Sequence, residues 1–138
     1  MKKYLVIGNP IEHSLSPKLH NYWFEKNDIN ANYGKRKIKR GEIQEIISEI
    51  KSNKLDGINV TVPFKSDVIP FLDALSEESK ITQSVNTIYV RDKKIVGHNT
   101  DIKGFELSLR ETQFDLKNKR IFILGAGGAV PSIIYALQ

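Results

Sequence analysis

Cysteine is absent from this 138-residue chain, which excludes disulfides, thiolate metal sites and cysteine nucleophiles. A reducing cytoplasm suits such a chain, and we read it as cytoplasmic. Long apolar runs are missing as well. After Met1-Lys2-Lys3 only Tyr4 to Ile7 are apolar before Gly8-Asn9-Pro10, a run too short for a signal peptide or a membrane span. There is no low-complexity tract and no internal repeat. Aromatic residues make up 9% of the chain, and none interleaves the densest basic stretch, Lys35-Arg36-Lys37 with Lys39-Arg40, to stack bases. Nucleic acid is therefore not expected as a partner. The three histidines, His13, His20 and His98, match no metal-ligand spacing and read as structural, so no metal site is expected.

What is present is an ordinary globular composition, 40% hydrophobic and 27% charged, at a length that supports one domain with a real core but is short for two. Lys and Arg number 21 against 16 acidic residues, a net charge of +5. Spread along the chain, that excess suits small anions such as carboxylates or phosphates as well as it suits a polyanion.

Strand and helix signals alternate. Tyr4–Gly8 reads as a buried strand and Asn9 to Ser16 as a loop. Ser16-Pro17 reads as a helix start, with Ser at the N-cap and Pro at the first helical position, followed by Leu19, Tyr22 and Trp23 on one face. A second strand is predicted over Asn32–Ile38. Ile43, Ile46, Ile47 and Ile50 have the spacing of an amphipathic helix. Ile58 to Val62 alternates strictly, and Pro63 ends it. Asn86–Arg91 and Lys94–His98 form a predicted hairpin across Asp92-Lys93. A helix follows Asn99-Thr100-Asp101, with Ile102, Phe105 and Leu109 on one side. Finally Ile121–Leu124 reads as an apolar strand running into Gly125-Ala126-Gly127-Gly128-Ala129 and a helix carrying Val130, Ile133, Ile134 and Leu137. A polar connection between Glu111 and Lys119 marks a boundary. Residues 1–112 form a self-contained α/β domain and residues 113–138 the opening of a second one.

Four constellations carry candidate chemistry. With period two, Ile58, Val60 and Val62 point one way while Asn59 and Thr61 share the opposite face. Lys65 follows, so the strand and its exit either hold a polyhydroxylated anion or form a solvated face with a surface lysine. Ser14 and Ser16 stand in a loop before a helix N-terminus, where backbone N–H groups and the dipole favour a carboxylate, although Ser16 also serves as an ordinary cap. Thr100 or Asp101 caps the later helix, or Asp101 pairs with a lysine as a proton-handling group. The glycine loop fits a pyrophosphate cradle between a buried strand and a helix. Gly125 and Gly127 match the usual spacing, but Val130 stands where the third glycine belongs, and a tight strand-to-helix turn is the other reading.

Taken together the segments resemble the shikimate dehydrogenase family along essentially the whole chain. The motifs are Ser14-Leu15-Ser16-Pro17 with His20-Asn21, Asn59-Val60-Thr61-Val62-Pro63-Phe64-Lys65, Val85-Asn86-Thr87, Gly97-His98-Asn99-Thr100-Asp101 with Gly104, and Gly125 to Ala129. Five in register are highly specific. The resemblance implies a mixed, mainly parallel sheet flanked by helices over residues 1–112, as a shikimate-binding catalytic domain. Residues 113–138 would be the first strand and helix of an incomplete NADP-binding Rossmann domain. It implies NADPH-dependent, reversible reduction of 3-dehydroshikimate to shikimate in aromatic amino-acid biosynthesis. Ser14 and Ser16 would bind the substrate carboxylate, and Asn59, Thr61, Asn86 and Asp101 the ring hydroxyls. Lys65 and Asp101 would be the catalytic pair, with Lys65 either the literal proton donor or an electrostatic and positioning group. Gly125, Ala126, Gly127, Gly128 and Ala129 would bind NADP, whose preference over NAD rests on the resemblance alone.

The chain stops short of a full βαβ unit, which needs about 30 residues or more. Alone it is therefore expected to have little dehydrogenase activity and to expose apolar surface that favours self-association or a homodimer. The rival readings are a quinate/shikimate dehydrogenase of the same superfamily, a non-catalytic metabolite-binding module, and a folate-type dehydrogenase. The serine pair leans against the first and third, and retention of both Lys65 and Asp101 leans against the second.

Overall fold

The computed structural model describes residues 1–138. Six strands form one mixed sheet: β1 (Lys2–Gly8), β2 (Ala31–Lys37), β3 (Gly57–Val60), β4 (Ala74–Leu75), β5 (Thr87–Arg91) and β6 (Lys94–His98), in the order β2-β1-β3-β5-β6-β4. β1 runs parallel to β2 and β3, and β4 parallel to β6, while β5 is antiparallel to β3 and β6. The hairpin between β5 and β6 turns at Asp92-Lys93, where both residues have positive φ, as a two-residue type I′ connection requires.

The two faces of the sheet do different work. Leu5, Ile7, Ile58, Val60, Ile88 and Ile95 point to one face and meet α2 (Ile43–Lys51), whose Ile43, Ile46, Ile47 and Ile50 are all buried. Each such isoleucine contributes about 1.5–3 kcal/mol relative to an exposed one, so this face holds the main core. The opposite face carries α1 (Ser16–Lys26) and a small cluster of Val6, Ile11 and Tyr33 with Tyr4 and Phe24. Register puts Asn59 beside Val6 and Thr87 beside Asn59 on this second face. It is the polar face, and it is where the candidate residues gather.

Edge strand β2 is tied to α1 by one side chain. Asn21 accepts from the Tyr33 N–H and donates to the Tyr33 carbonyl, both at 2.8 Å, copying the pairing a further strand would make.

The structure departs from several sequence expectations. Leu15, not Ser16, holds the N-cap position of α1; the loop is turned by Ser14, whose Oγ accepts from the Ser16 N–H at 3.3 Å. Leu19, Tyr22 and Trp23 face solvent, because α1 rests on the sheet through His20 and Phe24 instead. Val62 is 57% exposed: β3 ends at Val60, so the alternation stops before it. Between β3 and β5 lie two elements the pattern did not disclose, β4 and the short helix α3 (Glu77–Thr82), capped by Ser76 accepting from the Ser79 N–H.

Ile121–Leu124 belongs to no sheet. Phe122 and Leu124 are 91% and 90% exposed, since a strand exists only by pairing and no neighbouring strand offers it a ladder. The helices α4 (Asp101–Glu111) and α5 (Val130–Ala136) pack together, and α5 also touches α3. On α5 the most buried residue is Ser132, whereas Ile134 is exposed and Val130, Ile133 and Leu137 are partly buried; a polar contact thus joins the apolar stripe in seating the helix. No helix is long and apolar enough to cross a membrane.

Candidate active site

The polar face of the sheet ends in a continuous hydrogen-bond network. Lys65, just past β3, meets Asp101 at the start of α4 with Nζ to Oδ2 at 2.5 Å. Their side chains are 11% and 30% exposed, so the pair is shielded on the lysine side and open on the carboxylate side. Asn86 donates to Asp101 Oδ1 and to Thr100 Oγ1, both at 2.8 Å. Its Oδ1 accepts from the Thr100 N–H at 2.9 Å and from Thr87 Oγ1 at 3.1 Å. Asn59 donates to Thr87 Oγ1 at 3.0 Å and to the Asn86 carbonyl at 3.1 Å, and accepts from the Tyr33 hydroxyl at 2.5 Å. One network thus runs from Tyr33 on the edge strand to the Lys65–Asp101 pair.

Ser14 and Ser16 lie in a groove of about 440 Å³ with Thr61, Val62, Val6, Pro10, Ile11 and His13. Thr61, two residues after Asn59 in the chain, lines this groove, whereas Asn59 lines a separate one with Tyr33. The loop is held down by Glu12, which pairs with Lys37 at 2.8 Å, accepts from the Ile11 N–H at 2.9 Å, and accepts from Lys35 through its carbonyl. The Lys37 bond, with backbone N–H donors, lowers the Glu12 carboxyl to about 2. Arg36 pairs with Glu49 and Arg40 with Asp67. The basic stretch is therefore divided among three carboxylate partners and forms no single cationic surface.

On its other side Lys65 lines a cleft with Ser66, Gln83, Ser84 and the loop residues Ala126, Gly127 and Gly128. A Cβ at Gly128 would stand 3.5 Å from Lys65 Cβ, while Gly125, at φ +113, and Gly127 have open space around them. Of the five loop residues expected to hold a cofactor, Gly125 and Ala129 do not line this cleft.

The loop is fastened from behind by groups the sequence did not single out. Ser84 Oγ donates to the Gly128 carbonyl at 2.9 Å. Asn99, 2% exposed, donates to the Ser84 carbonyl at 2.9 Å and to Ser132 Oγ at 2.8 Å. Its Oδ1 accepts from the N–H groups of Asp101 and Ile102. Asn99, rather than Thr100 or Asp101, therefore caps α4. Asn lies high in the cap preference, which was the available signal. Tyr33 was also missed, and Thr87 and Thr100, quoted only within motifs or as a cap candidate, were given no part in the site, because nothing local marks a residue whose role is to hold an amide across a sheet. No cluster of three or more His, Cys, Asp or Glu side chains is placed to hold a metal.

Fold and site define an α/β unit whose sheet face, at the carboxyl ends of parallel strands, presents hydroxyls, amides and one ion pair suited to a small hydroxylated anion. The chain belongs to the shikimate dehydrogenase family: residues 6–88 match the family described as the shikimate dehydrogenase substrate binding domain. A shikimate dehydrogenase (NADP(+)) of Pelagibacter ubique is 61% identical over 137 residues, covering 99% of this chain and 52% of that relative. Among solved structures, shikimate dehydrogenase 1 of Peptoclostridium difficile superposes with a TM-score of 0.93 at 33% identity, covering 99% of this chain and 52% of that one. Shikimate 5-dehydrogenase of Thermus thermophilus in complex with NADP(H) and shikimate gives 0.91 at 31%, covering 99% and 52%. The chain spans about half the length of these relatives.

Proposed function

We propose that the chain supplies the substrate site of an NADP-dependent shikimate dehydrogenase, which reduces 3-dehydroshikimate reversibly to shikimate in aromatic amino-acid biosynthesis. The observation that carries this reading is the position of the Lys65–Asp101 pair. It joins the amide network, through Asn86, to the glycine-loop cleft that Lys65 lines.

Ser14 and Ser16 receive the substrate carboxylate, and Thr61, Asn59, Asn86 and Asp101 take the ring hydroxyls. The glycine loop fits a nucleotide in two respects: Gly125 and Gly127 leave space for close approach, and Ala126 to Gly128 open onto the cleft beside Lys65. Residues Gly125 to Ala129 would hold NADP, with Ala126 to Gly128 toward the cleft, and the nicotinamide would supply the hydride. As the substrate carbonyl becomes an alcohol, its oxygen gains negative charge. The Lys65 ammonium would stabilise that charge and donate the proton that completes the alcohol, while Asp101, oriented by Asn86, keeps Lys65 aimed. Residues 1–112 form the substrate-binding domain in this reading, and residues 113–138 open the cofactor domain.

An NMR titration of this chain with shikimate, quinate and NADP, repeated with Lys65→Ala, tests the proposal. Shikimate is expected to shift Ser14, Thr61, Asn86 and Asp101, quinate to bind more weakly, and Lys65→Ala to reduce the response. A folded chain that ignores shikimate at millimolar concentration overturns it.

A further inference from the structure

The geometry points to Tyr33 as a positioning residue for the ligand site: its hydroxyl holds Asn59 Oδ1 in place, while the Asn86 carbonyl and Thr87 occupy both N–H donors, so that Asn59 meets a bound ligand as a hydrogen-bond acceptor only. The inference rests on the proposed shikimate site for the identity of the ligand, and on the hydrogen-bond network for the rest.

A side-chain amide has two N–H donors and a carbonyl oxygen with two lone pairs. Both donors of Asn59 are engaged, by the Asn86 carbonyl and by Thr87 Oγ1. A backbone carbonyl can only accept, so this contact alone determines which end of the amide is nitrogen. The remaining end receives the Tyr33 hydroxyl at 2.5 Å, leaving one lone pair on Oδ1. A ring hydroxyl that contacts Asn59 must then donate.

Tyr33 is itself held at three points. Asn21 fixes both of its backbone groups, and its ring stacks on His20 with centroids 4.2 Å apart and planes 10° from parallel. Burial raises the Tyr33 hydroxyl above its ordinary value, which keeps it protonated and donating. The same burial lowers His20, which keeps the stacked imidazole neutral. Helix α1 thereby reaches Asn59 through Tyr33. Tyr33 and Asn59 both line a groove with Tyr4, His20 and Phe24, separate from the groove of Ser14, Ser16 and Thr61.

The test is a double-mutant cycle on this chain with Tyr33→Phe, Asn59→Ala and the pair, reading shikimate affinity by titration and the Asn59 side-chain amide by NMR. Tyr33→Phe is expected to weaken shikimate about five- to tenfold, the loss of one well-placed hydrogen bond. In the Asn59→Ala background it is expected to change nothing further. With no ligand present, the Asn59 NH₂ signals are expected to shift and exchange faster in Tyr33→Phe. A fluorinated shikimate analogue, carrying an acceptor in place of the hydroxyl that faces Asn59, is expected to bind no better than the deoxy analogue. Additive losses in affinity, or Asn59 signals unchanged by Tyr33→Phe, overturn the inference. If shikimate does not bind even the parent chain, the substrate reading fails, and the ligand-free Asn59 signals alone decide the role of Tyr33.

Discussion

Asn99→Ala should be among the most damaging single changes available in this chain, although it removes no hydrophobic group. Asn99 is 2% exposed, and its side chain ties the Ser84 carbonyl and Ser132 of α5 to the two N–H groups of Asp101 and Ile102 at the start of α4. Removing its Oδ1 uncaps α4, at about 1 kcal/mol. Removing its Nδ2 strands the Ser84 carbonyl and Ser132 Oγ, and each buried polar atom left without a partner costs about 1–3 kcal/mol. The expected loss is about 3–7 kcal/mol, a large share of the ~5–15 kcal/mol that holds a domain together. Urea denaturation followed by circular dichroism gives the number. Ser132→Ala should cost only about 1–2 kcal/mol, because Asn99 keeps the Ser84 carbonyl. The double variant should fall short of the summed losses by about 1 kcal/mol. A loss below about 1 kcal/mol for Asn99→Ala would refute the argument, since it would mean that water replaces the amide freely in a site the structure shows as closed.

Other expectations follow from single contacts. In Gly8→Ala the new Cβ would lie 2.6 Å from Thr61 Cγ2 and 3.1 Å from the Val62 carbonyl. A loss of about 1–3 kcal/mol from overpacking, with NMR shifts at Thr61, is expected, and parent-like stability with an undisturbed Thr61 would contradict it. Gly34→Ala meets nothing within 4 Å and should be neutral in the same denaturation assay. Glu12, with its carboxyl held at about 2 against an ordinary 4.5, is depressed, so its clasp on the serine loop is complete above pH 4.5 and released only as pH falls through about 2; a carboxyl carbon titration with an ordinary midpoint would refute this. His20, lowered from 6.5 by burial, favours the fold fully above that value. The contribution falls as pH drops below 6.5 toward the lowered folded value, and a ring titration by NMR with its midpoint at or above 6.5 would count against it.

Much of the fold was legible because its signals are local. The four isoleucines of α2 recur with helical spacing on one face, and Asp92-Lys93 separates two strand-like runs by a hairpin's length. The catalytic candidates were legible for another reason: Lys65 and Asp101 lie in motifs whose order along the chain carries the family. Elsewhere the physical cause of each miss is visible. Apolarity picked the Leu19–Trp23 side of α1, but the helix is seated by a histidine stacked on a tyrosine, which a hydrophobic pattern does not register. The Ile121–Leu124 run has the composition of a buried strand, yet composition cannot supply a pairing partner. Asn99 and Ser132 lie 33 residues apart, and a buried polar contact at that separation leaves no periodic trace.

The clamp of Asn21 on Tyr33 bears on how copies of this chain can meet. A sheet grows by adding a strand to an open edge, and this sheet offers little at either end. On one side a side-chain amide already occupies the backbone groups of Tyr33, and Lys35, Arg36 and Lys37 charge the rest of β2. On the other side the outermost strand, β4, is two residues long. Exposed lysines and very short strands are the features that blunt edge-to-edge growth. The bare segment Ile121–Leu124 thus has no docking rail on a neighbouring molecule.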